Sequence, residues 1–146
     1  MSTEANKALL RRYIADVWDH GNLAALDDYL AADYRRHVSP TAPPLTLDGQ
    51  KQRLAGFRSA FPDITLILEE AIAEGDRVVF RTTMRGTHEG AFQGIAPTST
   101  RVTVALLDMV RIQDGRIVEQ WGGPDLFDLV RQLGATISSP ESRERS

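Results

Sequence analysis

Asp108 lies in the run Val102-Thr103-Val104-Ala105-Leu106-Leu107-Asp108-Met109-Val110-Arg111-Ile112, whose composition predicts a β-strand. Strand side chains alternate between faces, so Val102, Val104, Leu106, Asp108, Val110 and Ile112 share one side. Every member of that face except Asp108 is aliphatic, while Arg101, Thr103 and Arg111 mark the wetter face. A carboxyl set in an apolar wall shifts its pKa or finds partners. Enzymes make acids and bases work near neutral pH in the same way. Asp125 follows Trp121-Gly122-Gly123-Pro124 and precedes an apolar helical stretch. It is placed to cap that helix, and backbone N–H groups would hold its carboxylate ionised, as suits a base. The expectation is that both carboxyls meet in one apolar hollow, with Asp108 keeping its proton.

Other side chains could surround that pair. His88 ends the strand face of Val78, Phe80, Thr82 and Met84, beside the Gly90–Gly94 loop, where pocket rims lie; it is equally placed as a satisfied core histidine. His37 ends a short extended piece before the proline loop, placed either to serve a ligand or as an ordinary surface histidine. His20 precedes Gly21 and fits a helix C-terminus. Tyr13 lies on an apolar helical stripe, either as core or as a hydroxyl donor into the hollow. Phe92, Ile95 and Trp121 offer flat apolar cover for a ligand. The three histidines show no ligand spacing such as His-x-x-x-His, so metal ligation is not expected. There is no Gly-x-Gly-x-x-Gly, no P-loop and no Gly-x-Ser-x-Gly. Carboxylate and imidazole proton transfer without a cofactor is what remains.

The elements that position these groups follow from periodicity. A first helix is predicted from Ser2 or Thr3 to His20, with Leu9, Leu10, Tyr13, Ile14 and Val17 inward. Gly21 closes it, and a second helix runs from Leu23 to Leu30. An extended piece spans Asp33–His37, and Pro40, Pro43 and Pro44 mark a loop. A third helix begins at a cap on Asp48 and reaches Ala60. Strands follow at Ile64–Ile72, Arg77–His88, Val102–Ile112 and Arg116–Gly122, with turns at Glu74-Gly75-Asp76 and Gln113-Asp114-Gly115. A last helix covers Leu126–Leu133. Helices first and antiparallel strands after predict an α+β fold, with helices on one face of a curved sheet and a pocket inside the resulting cone. One domain is expected over residues 1–137, and residues 138–146, which lack apolar side chains, read as a disordered tail.

Composition sets the class. The chain has 146 residues, 42% hydrophobic and 25% charged, as in ordinary globular domains. A net charge of -3 without a basic cluster gives no field for nucleic acid. Cysteine is absent, which excludes disulfides, thiolate metal sites and a cysteine nucleophile. No secretory signal and no run near the ~20 apolar residues of a bilayer span is seen, so a cytoplasmic protein with no membrane partner is expected.

Several segments together carry a resemblance. Tyr13 to Gly21, then Leu26-Asp27-Asp28-Tyr29, Asp33-Tyr34 and Phe61-Pro62-Asp63 resemble the SnoaL-like polyketide cyclase family. So do Gly86-Thr87-His88-Glu89-Gly90, Gly94-Ile95-Ala96-Pro97-Thr98, Trp121 to Asp125, and Leu133-Gly134. The resemblance implies an NTF2-like cone, a curved antiparallel sheet with three helices enclosing a pocket. It implies a cofactor-free ring closure of aromatic polyketide esters by intramolecular aldol condensation, in antibiotic biosynthesis, by a homodimer. Asp125 matches the family's acid/base aspartate before the last helix, and the segment carrying His88 matches the cyclase pattern. One position departs: the cyclases have an assisting histidine on the penultimate strand, where this chain has Asp108. Relatives in the family are cofactor-independent hydroxylases of anthracycline-type polyketides. Limonene epoxide hydrolase, a distant fold relative, has Arg-x-Asp on that strand, and Leu106 stands in the arginine place here. Ketosteroid isomerase is a looser parallel, with Tyr13 and Asp108 in the parts of its tyrosine and protonated aspartic acid. The expected function is proton abstraction next to a carbonyl of an aromatic polyketide or keto-ester, Asp125 acting as base and Asp108 as hydrogen-bond donor to the enolate. The alternatives are a dioxygen-using hydroxylase and a non-catalytic ligand- or partner-binding module.

Overall fold

The computed structural model describes residues 2–140. Helix α1 (Thr3–Tyr13) starts at Ser2, whose hydroxyl accepts the Ala5 N–H at 3.1 Å. It turns Leu9, Leu10 and Tyr13 inward. The expected single helix to His20 is instead two geometries, because Ile14–Asp19 winds as a π-helical turn. That wider turn places Ile14, Val17 and Trp18 all in the interior; such turns recur at functional sites. The expected second helix is likewise divided into a 3₁₀ turn (Leu23–Ala25) and α2 (Leu26–Tyr29). Leu30 already begins strand β1 (Leu30–His37). Helix α3 (Leu47–Ala60) is capped by Thr46, whose hydroxyl accepts the Gly49 N–H at 3.2 Å, and not by the expected Asp48, which lies in the first turn.

Strands β2 (Thr65–Glu74), β3 (Arg77–Thr87), β4 (Arg101–Gln113) and β5 (Arg116–Pro124) follow, and α4 (Leu126–Gln132) ends the fold. The sheet order is β1-β5-β4-β3-β2, open at both edges. Pairs β2–β3, β3–β4 and β4–β5 are antiparallel, but β1 joins β5 in parallel. The expected curved antiparallel sheet is β2 to β5, and β1 adds to its edge in parallel: β1 is separated from β5 by most of the chain, so no tight hairpin dictates its direction. The architecture is the α+β, NTF2-like one, with a curved sheet and helices over its concave face.

The core sits between that concave face and the helices. Strand β4 buries every second residue, so Val102, Val104, Leu106, Asp108, Val110 and Ile112 form an inner row as its alternation predicts. Leu9, Leu10, Val17, Leu26, Leu54, Phe61 and Ile117 close over it; each such side chain contributes roughly 1.5–3 kcal/mol of burial. No helix among the described residues is long and apolar enough to cross a membrane. Of the expected disordered tail, residues 141–146 lie outside the described residues.

Candidate active site

Asp108 does not stand alone in its wall. In register it faces Phe80 on β3 and Gly122 on β5. The missing side chain at Gly122 lets a group from the next strand reach across. That group is Arg36 of β1, whose Nη2 donates to Asp108 Oδ2 at 3.1 Å and to the Gly122 carbonyl at 2.8 Å. Gln120 Nε2 donates to the same carboxyl oxygen at 3.0 Å, and the Tyr34 hydroxyl donates to Gln120 Oε1 at 2.7 Å. Two donors thus meet on Oδ2, Tyr34 holds the second of them in place, and Oδ1 receives no hydrogen bond from a described residue. Arg36 and Asp108 are only 2% and 4% exposed.

The two glycines make this approach possible. Gly122 has φ +94°, and a Cβ there would lie 2.1 Å from the Leu107 carbonyl oxygen. A Cβ on Gly123 would lie 2.9 Å from Arg36 Nη2 and 3.6 Å from Arg53 Nη2. The Trp-Gly-Gly-Pro run is therefore where two guanidiniums converge against bare backbone.

A cavity of about 20 Å³ opens onto Asp108. Its walls are apolar (Ile14, Trp18, Leu66, Phe80, Leu106), with Tyr13, Arg36, Gln50, Arg53, Thr82, Asp108 and Gln120 as its polar lining. That volume holds one water-sized group. Arg36 Nε, both amide atoms of Gln50 and the Thr82 hydroxyl are sealed from solvent and have no hydrogen-bond partner among the described residues. Burying polar groups this way is costly unless something accepts their bonds.

Burial pushes the Asp108 carboxyl above its ordinary range, while Arg36, Gln120 and Arg53 pull it back. Burial likewise raises Tyr13 and lifts Tyr34 above its ordinary value. Arg53 is pulled down to about 10, by burial and then by the neighbouring Arg36 charge.

Of the residues singled out from sequence, only Tyr13 joins Asp108 in the cavity lining. Asp125 does not. It is exposed and caps α4, its Oδ1 accepting the Asp128 N–H at 3.0 Å. The expected meeting of the two carboxyls in one hollow is corrected: a carboxylate used as a cap faces its own helix. His88 is buried at the end of β3, but its Nδ1 accepts the Thr98 N–H at 3.2 Å, which assigns the ring proton to Nε2. Its ring packs on Phe61, and it lies outside the cavity lining. Phe92 packs between Phe57 and Phe61 and bridges to Ile95 across the loop, so both hold the loop rather than line the cavity. His37 and Trp121 lie on the convex side. His37 Nε2 is 2.7 Å from Glu119 Oε2, and its ring stacks on Trp121 at 5.2 Å. The Arg77 guanidinium covers Trp121, 5.2 Å from its ring centre.

The site residues missed from sequence are Arg36, Tyr34, Gln120, Arg53, Gln50 and Thr82. Arg36 had a signal: it shares a face with Tyr34 by strand alternation, and an inward arginine complements an inward aspartate. Gln50 had a weaker one, lying on the helical face of Leu54 and Phe57. Among the described residues, no three His, Cys, Asp or Glu side chains converge as a metal site.

Comparisons with known proteins bear on the chain as a whole. The family model for SnoaL-like polyketide cyclase matches residues 8–133. Nogalonic acid methyl ester cyclase of Streptomyces nogalater is 28% identical over 130 residues, covering 83% of this chain and 92% of that protein. AclR, a candidate hydroxylase of Streptomyces galilaeus, superposes with a TM-score of 0.82 at 28% identity, over 99% of this chain and 90% of AclR. IdmH, a candidate polyketide cyclase of Streptomyces antibioticus, gives a TM-score of 0.78 at 29% identity, over 89% of this chain and 99% of IdmH. On this evidence the chain belongs to the SnoaL-like polyketide cyclase family.

Proposed function

We propose that the chain is a tailoring enzyme for polyketide-type substrates that removes a proton next to a carbonyl, with Asp108 as the base. The carrying observation is the carboxyl itself. Arg36 and Gln120 fix Oδ2, and Oδ1 is left free beside an apolar-walled cavity. Oδ1 takes the proton, and the C–H electron pair becomes the enolate. The enolate carbon then attacks a second carbonyl of the same substrate, one C–C bond forms, and the proton returns from Asp108 to the new alkoxide. Arg36 Nε and the Tyr13 hydroxyl are the donors for the enolate oxygen; such placed donors contribute strongly in a dry site. The cavity admits only the reacting end, so the flat body of the substrate lies toward Arg53, the one lining residue that is not buried.

The test uses the relative's substrate, nogalonic acid methyl ester, followed by product analysis and by deuterium uptake from D₂O. Asp108→Asn should lower turnover about 10²–10⁴-fold, the usual scale of general acid–base help. Full activity in that variant overturns the assignment.

A hydroxylase reading is favoured by the near full-length match to AclR. The same base would serve, and oxygen uptake during turnover separates the two reactions. A binding-module reading is favoured by the small interior volume. It prevails if no polyketide ester is turned over while one binds.

A homodimer through the convex sheet face belongs to the same reading. Ile72, Val79, Met109 and Trp121 align in one register row across β2 to β5. Sedimentation of Val79→Lys against wild type tests it, and an unchanged dimer, or a monomeric wild type, rejects that surface.

A further inference from the structure

We propose that the interior site takes ligands bearing an anionic oxygen, a carboxylate or an ionised phenol, and that Arg53 at its entrance holds that oxygen. The inference rests on the cavity being the ligand site, and it adds a charge requirement that proton abstraction alone does not need.

Charge counting comes first. Two guanidiniums, Arg36 and Arg53, face one carboxylate, Asp108. Arg36 takes that carboxylate. Arg53 has no carboxylate and no hydrogen-bond partner among the described residues. Its guanidinium lies over the Phe57 ring, 4.9 Å from the ring centre, a contact that leaves the N–H edge free. The charged groups acting on it are Arg36 and Asp108, and Arg36 already holds Asp108. Asp125 is not among them. A largely enclosed guanidinium without a counter-charge is costly to the fold, and such groups concentrate where a ligand supplies the missing charge.

Position comes second. Arg53 is the one lining residue that is not buried, so it is where the cavity meets solvent. Its Nη2 and that of Arg36 both approach the bare Cα of Gly123. Arg36 Nη2 already donates to Asp108 and to the Gly122 carbonyl, so Arg53 is the guanidinium left to meet an oxyanion there.

The third observation is the interior. Arg36 Nε, Gln50 Nε2 and the Thr82 hydroxyl are donors without partners, on side chains no more than 2% exposed and lining the same cavity. A ligand rich in acceptor oxygens satisfies them, and a hydrocarbon does not.

Calorimetric titration of the whole chain with paired probes tests this. Sodium 2-naphthoate is compared with methyl 2-naphthoate, and 4-nitro-1-naphtholate with its methyl ether. Each anion is expected to bind about 10-fold or more tightly than its neutral partner, the scale of a charge-assisted bond. Arg53→Gln should erase that margin and leave the neutral probes within about twofold, while Arg53→Lys should keep part of it. Preference in one pair only identifies the oxygen as carboxylate or phenolate. Equal binding of anion and neutral partner in wild type overturns the inference and leaves the proposed reaction standing. A margin that survives Arg53→Gln overturns the role of Arg53. Failure of all four probes to bind overturns both this inference and the cavity as ligand site.

Discussion

Arg36 Nη2 bonds Asp108 Oδ2 and the Gly122 carbonyl at once, at 3.1 and 2.8 Å, tying the edge strand β1 across β5 to the centre of the sheet. Breaking a buried pair from one side leaves the other charge uncompensated, at about 3–5 kcal/mol. Arg36→Met should lose stability on that scale in denaturant unfolding. The double variant Arg36→Met/Asp108→Leu should regain much of it, because no charge is then left behind. A double variant as unstable as the single one would show that the loss is packing.

The two aspartates should separate cleanly. Asp125→Ala removes a cap and should cost about 1 kcal/mol in thermal or chemical unfolding, with turnover kept within a few-fold. Asp108→Asn should do the reverse to activity. Loss of turnover in Asp125→Ala, in a protein that stays folded, would return the base to α4.

Gly122 tolerates no side chain. With φ at +94° and a Cβ only 2.1 Å from the Leu107 carbonyl oxygen, Gly122→Ala must shift backbone. A loss of about 1–3 kcal/mol or more is expected, read as a lower unfolding midpoint. Gly123→Ala, at φ +147°, strains the backbone too and meets the Arg36 and Arg53 side-chain tips, so it should lower both stability and ligand binding. Wild-type stability in Gly122→Ala would contradict the close approach described.

The pH dependence carries two opposite signs. Asp63 is held below the ordinary carboxylate range by the Thr87 hydroxyl and N–H, each at 2.7 Å. Its contribution is therefore present above the unfolded pKa, about 4, and is lost as pH falls through the lower folded value. Asp63→Asn should be less stable than wild type near neutrality, by no more than about 1 kcal/mol at this solvent-screened site. The difference should vanish in strong acid. A gap that persists there would assign the effect to geometry and not to charge.

Asp108 is raised by burial, so its contribution to stability is full below about pH 4 and is lost as pH rises through the folded value. Its activity runs the other way, since the base must be ionised. Turnover should rise with pH through an inflection above the ordinary aspartate value, and Gln120→Leu, which removes one donor from Oδ2, should move that inflection upward. An inflection unmoved by Gln120→Leu would exclude Asp108 as the titrating group.

Local chemistry wrote much of this protein into its sequence. The alternation of Val102 to Ile112 set the inner row of β4 and placed Asp108 on it, because a period of two leaves each side chain only one face. Helix and strand order set the α+β class, and the motif segments set the family. The parallel pairing of β1 with β5 and the π-helical turn at Ile14–Asp19 were not legible, because each depends on long-range packing. The site followed the same division. An aspartate in an aliphatic wall announces that something must meet it, but what meets it comes from residues 72 and 12 positions away, Arg36 and Gln120. Asp125 shows the converse: its cap position was readable, and only the folded chain showed that a capping carboxylate faces its own helix and leaves the cavity to a carboxyl, two guanidiniums and a tyrosine. Faces are decided by local backbone geometry; partners across a curved sheet are decided by how the strands lie together, and no spacing along one strand encodes that.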